Sequence, residues 1–270
     1  MRSLYVDRQG NPLLSGGSFR TDHSSPLAER WGGWYVTGTS GGQKHLGNMI
    51  SRGTRGSEEI DNAEGVNVVD LKDRFTTAFY PTPHSDIVAL MVLEHQVGML
   101  NRLARAGLET RSALHYEREL NAALGRPAGE RSDSARSRIR SVGDAVVQYM
   151  LFREEARLTD RVEGTSSFAT DFAARGPRDS KGRSLRDLDL KTRLFRYPCS
   201  YLIYSRAFDS LPGEVKAYIY RRLWDILDGR TNGKDDPRIS PEDSAAIVEI
   251  LRETKRDLPD YWKAPSPRAR

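Results

Sequence analysis

The pattern of apolar and polar residues changes near residue 66. Beyond that point, apolar side chains recur every three or four residues, the spacing that places them on one face of a helix. The clearest repeats are Val215, Ile219, Leu223 and Ile226, followed by Ile247, Ile250 and Leu251. Such repeats predict helices over residues 82–103, 108–124, 139–149, 198–208, 212–227 and 240–254, with a short helical patch at 168–174.

Residues that favour helix ends set the expected boundaries. Thr82 followed by proline predicts the start of the first helix, and Gly107 predicts its end. Gly125 predicts the end of the second helix. Ser240, followed by proline and two acidic residues, predicts a further start, because the positive end of the helix dipole favours negative charge.

The segment before residue 66 holds 12 of the 23 glycines and has almost no helical periodicity. We expect loops with a few short strands as far as about Tyr80. The predicted fold class is mainly α, a multi-helix globular domain with a Gly/Trp-rich, mostly irregular N-terminal portion. Residues 1–80 would form that loop portion packed on the helices, residues 81–262 the helical domain, and residues 263–270 a disordered basic tail.

Charge and cysteine content narrow the classes of function. The 270 residues include 42 Lys and Arg against 37 Asp and Glu, a formal net charge of +5. This mild excess suits an acidic protein partner or a polyanion, but the charges are interspersed as on an ordinary solvated surface, which is the simpler interpretation. We expect no nucleic-acid partner. Cys199 is the sole cysteine, so an internal disulfide is excluded. No apolar run reaches the ~20 residues that span a bilayer.

Familiar signals of export and catalysis are absent. The first residues lack the apolar core of a signal peptide, so we expect a cytoplasmic protein if Met1 is the true start. A periplasmic location follows if an export signal lies upstream. No nucleophile-elbow, zinc-protease or dinucleotide-binding motif occurs, and the sequence leans against an enzyme.

Residues 31–49 form the most unusual segment. Trp31 and Trp34 lie among glycines, and His45 and Met49 follow four residues apart. His and Met are axial ligands of haem, and a wall of glycine and tryptophan suits a porphyrin face, so these four are candidate cofactor-binding residues. The alternative is that the tryptophans anchor the loop while His45 hydrogen-bonds a carbonyl group. The sequence leaves both open.

A second candidate is Glu94-His95 in the apolar first helix. Met91, His95 and Met99 share one face, so His95 joins His45 and Met49 as a candidate metal or haem ligand. The alternative, which we favour, is a satisfied core network in which Glu94 and His95 bind buried loop amides. An enzyme with Glu94 as the proton-transfer group is a third hypothesis.

The loop at residues 175–183 is basic and rich in turn residues. It could hold a phosphate or an acidic partner, but a solvated surface loop is the simpler interpretation. Cys199 is expected to be a small buried residue.

Several stretches are shared with a known group of proteins. They are RWGGWYVTG at 30–38, HLGN at 45–48, HSDIVALMVLEHQ at 84–96, FAARGPRD at 172–179 and FRYPCSYLIY at 195–204. From about Leu4 to Trp262 the chain resembles a poorly characterised group of bacterial cytochrome c-like proteins found in planctomycete-type genomes. The resemblance implies electron transfer, a haem and a redox partner.

This chain departs from the family pattern in two places. The family attaches haem through a Cys-x-x-Cys-His motif before the matching region, and a His often stands where this chain has Ser40. With one cysteine, covalent haem attachment within these residues is excluded. The resemblance then implies either a haem peptide upstream or a haemless, non-catalytic interaction or scaffold domain that binds an acidic protein partner.

Overall fold

The computed structural model describes residues 1–51, 62–231, 233–234 and 236–263, and in them the protein is mainly helical. This part of the chain contains six α-helices: α1 (Ile87–Ala123), α2 (Asp133–Met150), α3 (Phe168–Ala174), α4 (Arg206–Asp209), α5 (Gly213–Leu227) and α6 (Pro241–Thr254). Strands β1 (Arg2–Leu4) and β2 (Ser18–Arg20) pair antiparallel, with Ser3 opposite Phe19. The predicted basic tail lies outside the described residues, apart from Lys263.

The chain folds into two compact units, each built from separate segments. The first unit takes residues 1–97, 154–176 and 186–196, and the second takes residues 98–153, 177–185 and those from 197 onward. These units follow proximity in space. The domain boundary predicted at residue 80 was based on composition alone, and it stays a prediction.

In the first unit, Asp86 fixes the start of α1. Its Oδ1 atom accepts hydrogen bonds from the first-turn amides of α1 at 2.8 and 3.1 Å, and its Oδ2 atom accepts from the amides of Thr165 and Ser166, both at 2.9 Å. One carboxylate thus caps the helix and holds a distant loop against it. The predicted start at Thr82 was wrong, because Asp86 is the residue that satisfies these free amides.

The loop before α1 is held beside this cap. The amide of Thr37 donates to the carbonyl of Ser85 at 2.7 Å, and the amide of Ile87 donates to the carbonyl of Thr37 at 2.8 Å. The next residue, Gly38, has a φ of +143°, and a Cβ there would collide with Ile87 and the carbonyl of Glu163. Glycine is therefore required where the N-terminal loop touches the helix.

Helix α1 runs through Gly107 without a break, so the predicted stop at that residue was wrong. A glycine inside a helix costs only about 1 kcal/mol relative to alanine, which packing outweighs. Here the missing side chain leaves room for Arg111, whose Nη1 lies 3.0 Å from an ideal Cβ. The predicted end is confirmed, because Gly125 has a φ of +65° and the amide of Arg126 donates back to the carbonyl of Asn121 at 2.8 Å.

The second unit confirms the helical periodicity of the C-terminal half. The predicted faces of α5 and α6 are buried, and Ser240 caps α6 by accepting a hydrogen bond from the amide of Asp243 at 3.1 Å. The short helix predicted at residues 168–174, in the first unit, coincides with α3. The helix predicted at 198–208 is instead a 3₁₀ turn (Tyr201–Tyr204) followed by α4. None of the described helices combines the length and apolarity needed to cross a membrane.

Within the second unit, α2 and α5 approach closely at Gly143. A Cβ at this position would lie 2.5 Å from Cδ1 of Tyr218. Helix propensity alone predicts that Gly143→Ala stabilises the protein by about 1 kcal/mol. We expect the opposite, a loss of about 1–3 kcal/mol in the free energy of unfolding, because the tyrosine ring must move.

Denaturant titration measures this change, with Gly213→Ala as the matched control. Gly213 lies at the exposed start of α5, with no atom near the position of an added Cβ. Equal effects of the two substitutions would contradict close packing at Gly143.

Candidate functional site

Five deeply buried polar side chains of the first unit form one cluster, here called the buried polar cluster. It consists of Thr21, His23, Arg30, Glu94 and His95, each at most 3% exposed. The Glu94 carboxylate lies at its centre. Its Oε1 atom accepts a hydrogen bond from the Thr21 hydroxyl at 2.7 Å, and its Oε2 atom pairs with Nη1 of Arg30 at 3.3 Å.

Arg30 uses its remaining donors on the chain around it. Its Nε donates to the carbonyl of Ser25 at 3.0 Å, and its Nη2 donates to the carbonyls of Ser25 and His23 at 2.7 and 3.1 Å. The planar guanidinium therefore cross-links residues 23–25 and α1. Such a cross-link holds an irregular segment in place where no sheet or helix does so.

His23 and His95 are the histidine pair of the cluster. Their Nδ1 atoms lie 2.9 Å apart, and the rings stack with centroids 5.1 Å apart. One Nδ1 must donate and the other accept, so the two rings cannot both be imidazolium ions in this arrangement. The two rings therefore differ in whether Nδ1 carries a proton, and the protonation of one ring affects that of the other.

Burial shifts the acid–base behaviour of two carboxyl groups in this unit. It raises the pKa of Glu94, against the opposing effects of Arg30 and the Thr21 hydrogen bond. It also raises the pKa of the half-buried Glu155 to about 7, against the amide of Leu194, which donates to it at 2.8 Å. Glu155 is therefore a group that titrates near neutral pH.

The surroundings of Glu94 and His95 favour a satisfied core network over a ligand or proton-transfer site. Both side chains are fully buried, so no substrate reaches them in this conformation. The Glu94 carboxylate binds the side chains of Thr21 and Arg30, rather than the loop amides that the sequence suggested, and the His95 ring contacts the ring of His23. These partners come from distant sequence positions, and no local motif announces them.

His45 is packed as a neutral core histidine. Its Nδ1 accepts a hydrogen bond from the amide of Gly47 at 3.1 Å, so the proton of the neutral ring resides on Nε2. Trp31 meets the ring edge-on, with centroids 5.4 Å apart. Burial lowers the pKa of His45 to about 4. Asn62 fixes the loop by donating to the carbonyls of His45 and Gly47 at 2.7 and 2.9 Å.

The four candidate haem residues do not fit a haem in this conformation. Iron ligation through Nε2 needs that nitrogen unprotonated, whereas the Gly47 hydrogen bond places the proton there. Trp31, His45 and Met49 are buried in the packed loop. Trp34 is 39% exposed, and its indole N–H donates to the carbonyl of Arg2 at 3.1 Å. Trp31 is therefore buried whereas Trp34 is exposed, so the two tryptophans do not share one environment.

Among the described residues, no group of three His, Cys, Asp or Glu side chains is arranged to hold a metal ion. Cys199 is a buried free thiol, as predicted, and burial raises its pKa to about 12. It therefore stays protonated and unreactive.

Two cations of the basic loop at residues 175–183 form ion pairs within the second unit. Lys181 pairs with Glu249 at 2.8 Å, and Arg183 pairs with both Asp179 and Glu249. Hydrogen bonds from Lys181 and Arg183 lower the pKa of Glu249. Arg183 is half-buried and held by two carboxylates, so it is not available to an acidic partner, whereas the Lys181 pair is exposed.

Sequence reasoning missed a cationic groove elsewhere in the second unit. Arg111, His115 and Arg118 lie on one face of α1, and Arg131 joins them from the loop before α2. They line a groove of about 320 Å³, here called the arginine groove, with Leu114 and Ala128 as its apolar residues. The sequence did contain a signal for this groove: Arg111, His115 and Arg118 are four and then three residues apart, the spacing that places side chains on one helix face.

Carbonyl oxygens hold two of these guanidinium groups. Arg111 donates to the carbonyl of Ser210 at 3.0 Å, and Arg131 donates to the carbonyls of Ala128 and Glu130, both at 3.1 Å. A carbonyl orients a cation without cancelling its charge. The groove therefore presents ordered positive charge, which is what a carboxylate or phosphate requires.

Comparison with known proteins adds no identity. No protein-family model, no curated protein and no solved structure matches this chain.

The lowered pKa of His45 makes stability pH-dependent. A histidine of lowered pKa binds fewer protons in the folded state, so its contribution is complete above the ordinary pKa near 6.5 and is lost as pH falls towards 4. The change amounts to about 3 kcal/mol. In His45→Asn, whose amide oxygen can still accept from Gly47, we expect unfolding free energy to fall less steeply between pH 6.5 and 4.

Denaturant titrations at several pH values measure the difference between the two proteins. Parallel curves for the wild type and His45→Asn would show that His45 is not buried as a neutral ring.

Proposed function

We propose that this chain is a non-catalytic helical interaction domain that holds an acidic protein partner in the arginine groove. The observation that carries the proposal is the convergence of Arg111, Arg118 and Arg131 on one groove, two of them oriented by carbonyl oxygens. Guanidinium forks of fixed direction recognise carboxylates with two parallel hydrogen bonds.

The carboxylates already near the groove are weak competitors. Arg118 pairs with Glu119 at 3.2 Å, and Arg131 pairs with Glu214 at 3.4 Å. The first pair is exposed and the second is partly exposed, and exposed pairs contribute only about 0–1 kcal/mol. A partner can therefore replace them at little cost if its carboxylate adds a second hydrogen bond and its apolar atoms contact Leu114.

The distribution of charge along the sequence also supports the arginine groove as the binding site. Residues 98–140 contain nine arginines and only five acidic residues, an excess that accounts for most of the net charge of +5. The second unit thus carries a local positive field, which speeds the approach of an acidic partner.

The geometry gives less support to the other candidate functions. Electron transfer would need a haem against residues 31–49, where His45 has the wrong tautomer for ligation. Catalysis by Glu94 would need access to a fully buried group. The resemblance to cytochrome c-like proteins fits this proposal as that of a haemless interaction module.

A charge reversal tests the proposal directly. The probe is a fluorescent peptide of ten glutamates, whose binding is followed by anisotropy at low and high salt. We expect Arg118→Glu to weaken binding by about tenfold or more, since each tenfold change corresponds to about 1.4 kcal/mol and close charge pairs exceed this. Raising the salt concentration should weaken wild-type binding as well.

The matched control is Arg8→Glu, which changes net charge equally at an exposed residue of the first unit. Equal loss in both variants would mean that only overall charge matters and would contradict the groove. Binding that ignores salt, or tighter binding of a DNA duplex than of the peptide, would contradict an acidic protein as the partner.

A further inference from the structure

The first unit contains a second, chemically different pocket. It has a volume of about 360 Å³, within the range of about 300–1,000 Å³ typical of small-molecule sites. We call it the aromatic pocket. Its lining side chains include Trp34, Tyr35, Phe75, Tyr80 and His84.

The rings of the pocket stand at an angle to one another. Tyr35 and Phe75 pack with centroids 4.5 Å apart and planes 31° apart, whereas Tyr80 meets Phe75 edge-on at 81°. The result is a corner with two aromatic walls. Tyr80 is 61% exposed and Tyr35 46% exposed, so these rings are accessible to solvent instead of filling a core.

The backbone around the pocket is fixed by hydrogen bonds. The side chain of Asn48 accepts from the amide of Val36 at 2.8 Å and donates to its carbonyl at 2.7 Å, next to Tyr35. On the other wall, the amide of Tyr80 donates to the carbonyl of Thr77 at 3.0 Å. A pocket held in this way needs little reorganisation on binding.

The polar groups of the pocket are neutral hydroxyls and an imidazole. They are contributed by Thr77, Thr82, Ser85 and His84, and no charged side chain lines the pocket within the described part of the chain. Nδ1 of His84 is shielded from solvent and has no hydrogen-bond partner among the described residues. The pocket thus offers hydrogen bonds but no countercharge for an ionic ligand.

We infer that the aromatic pocket binds a neutral saccharide. The C–H face of a sugar ring carries partial positive charge and stacks on the electron-rich face of Tyr, Phe or Trp. Its ring hydroxyls both donate and accept hydrogen bonds, which matches hydroxyls and an imidazole. The angled walls suit a ligand that is apolar on its faces and polar around its edge. This site goes beyond the proposed function and stands independently of the arginine groove.

Calorimetric titration with defined sugars tests the inference. The probes are the methyl glycosides of glucose, galactose, mannose and N-acetylglucosamine, with maltose and cellobiose. We expect saturable binding of at least one of them. Tyr80→Ala should weaken that binding by about tenfold or more, since it removes one wall of an exposed site.

Phe79→Ala is the matched control. Phe79 is the neighbouring aromatic residue, is 91% exposed and does not line the pocket, so its loss should leave affinity unchanged. Tyr80→Phe, which keeps the ring, should retain most of the affinity. Circular dichroism checks that each variant is folded.

Three results would overturn the inference. They are the absence of saturable binding by every sugar tested, equal loss of affinity in Tyr80→Ala and Phe79→Ala, and tighter binding of adenosine or tetramethylammonium than of any sugar. Adenosine would indicate a planar heterocycle as the ligand, and tetramethylammonium would indicate an aromatic cage for a cation. Binding to the acidic peptide is unaffected by any of these outcomes, so the two proposals fail separately.

Discussion

The buried pair of Glu94 and Arg30 is the interaction on which the first unit depends. A charge removed from water is tolerated only when it is paired and hydrogen-bonded, and here each partner supplies what the other needs. Arg30 also binds the carbonyls of His23 and Ser25, so the pair determines where the N-terminal segment lies on α1. The strands of that segment are only three residues long and cannot set its position alone.

Both proposed binding sites use side chains that rigid neighbours orient. The aromatic pocket lies in the first unit, on loops fixed by Asn48 and close turns. The arginine groove lies in the second unit, on one face of a long helix that extends past Gly107 to Ala123. In each case the chemistry comes from a few side chains. Hydrogen bonds hold the guanidinium groups of Arg111 and Arg131 in the groove, and they hold the backbone beside the rings in the pocket.

Periodicity predicted what depends on local spacing, and missed what depends on distant partners. The buried faces of α5 and α6 and the Ser240 cap follow from residues close in sequence, and all are confirmed. The helix end predicted at Gly107 was wrong because a helix tolerates a glycine when packing compensates for it. His45 and His95 looked like ligands, since a sequence does not show that Gly47 or His23 will occupy their ring nitrogens. The arginine groove needed the folded position of Arg131.

A double-mutant cycle on the buried pair tests this account most directly. Unfolding free energies are measured for Arg30→Met, Glu94→Met and the double variant. Each single substitution should cost about 3–5 kcal/mol, because it strands a buried charge, and the double variant should lose clearly less than the sum. Additive losses, or single losses below about 1 kcal/mol, would contradict the claim that this pair holds the N-terminal segment on α1.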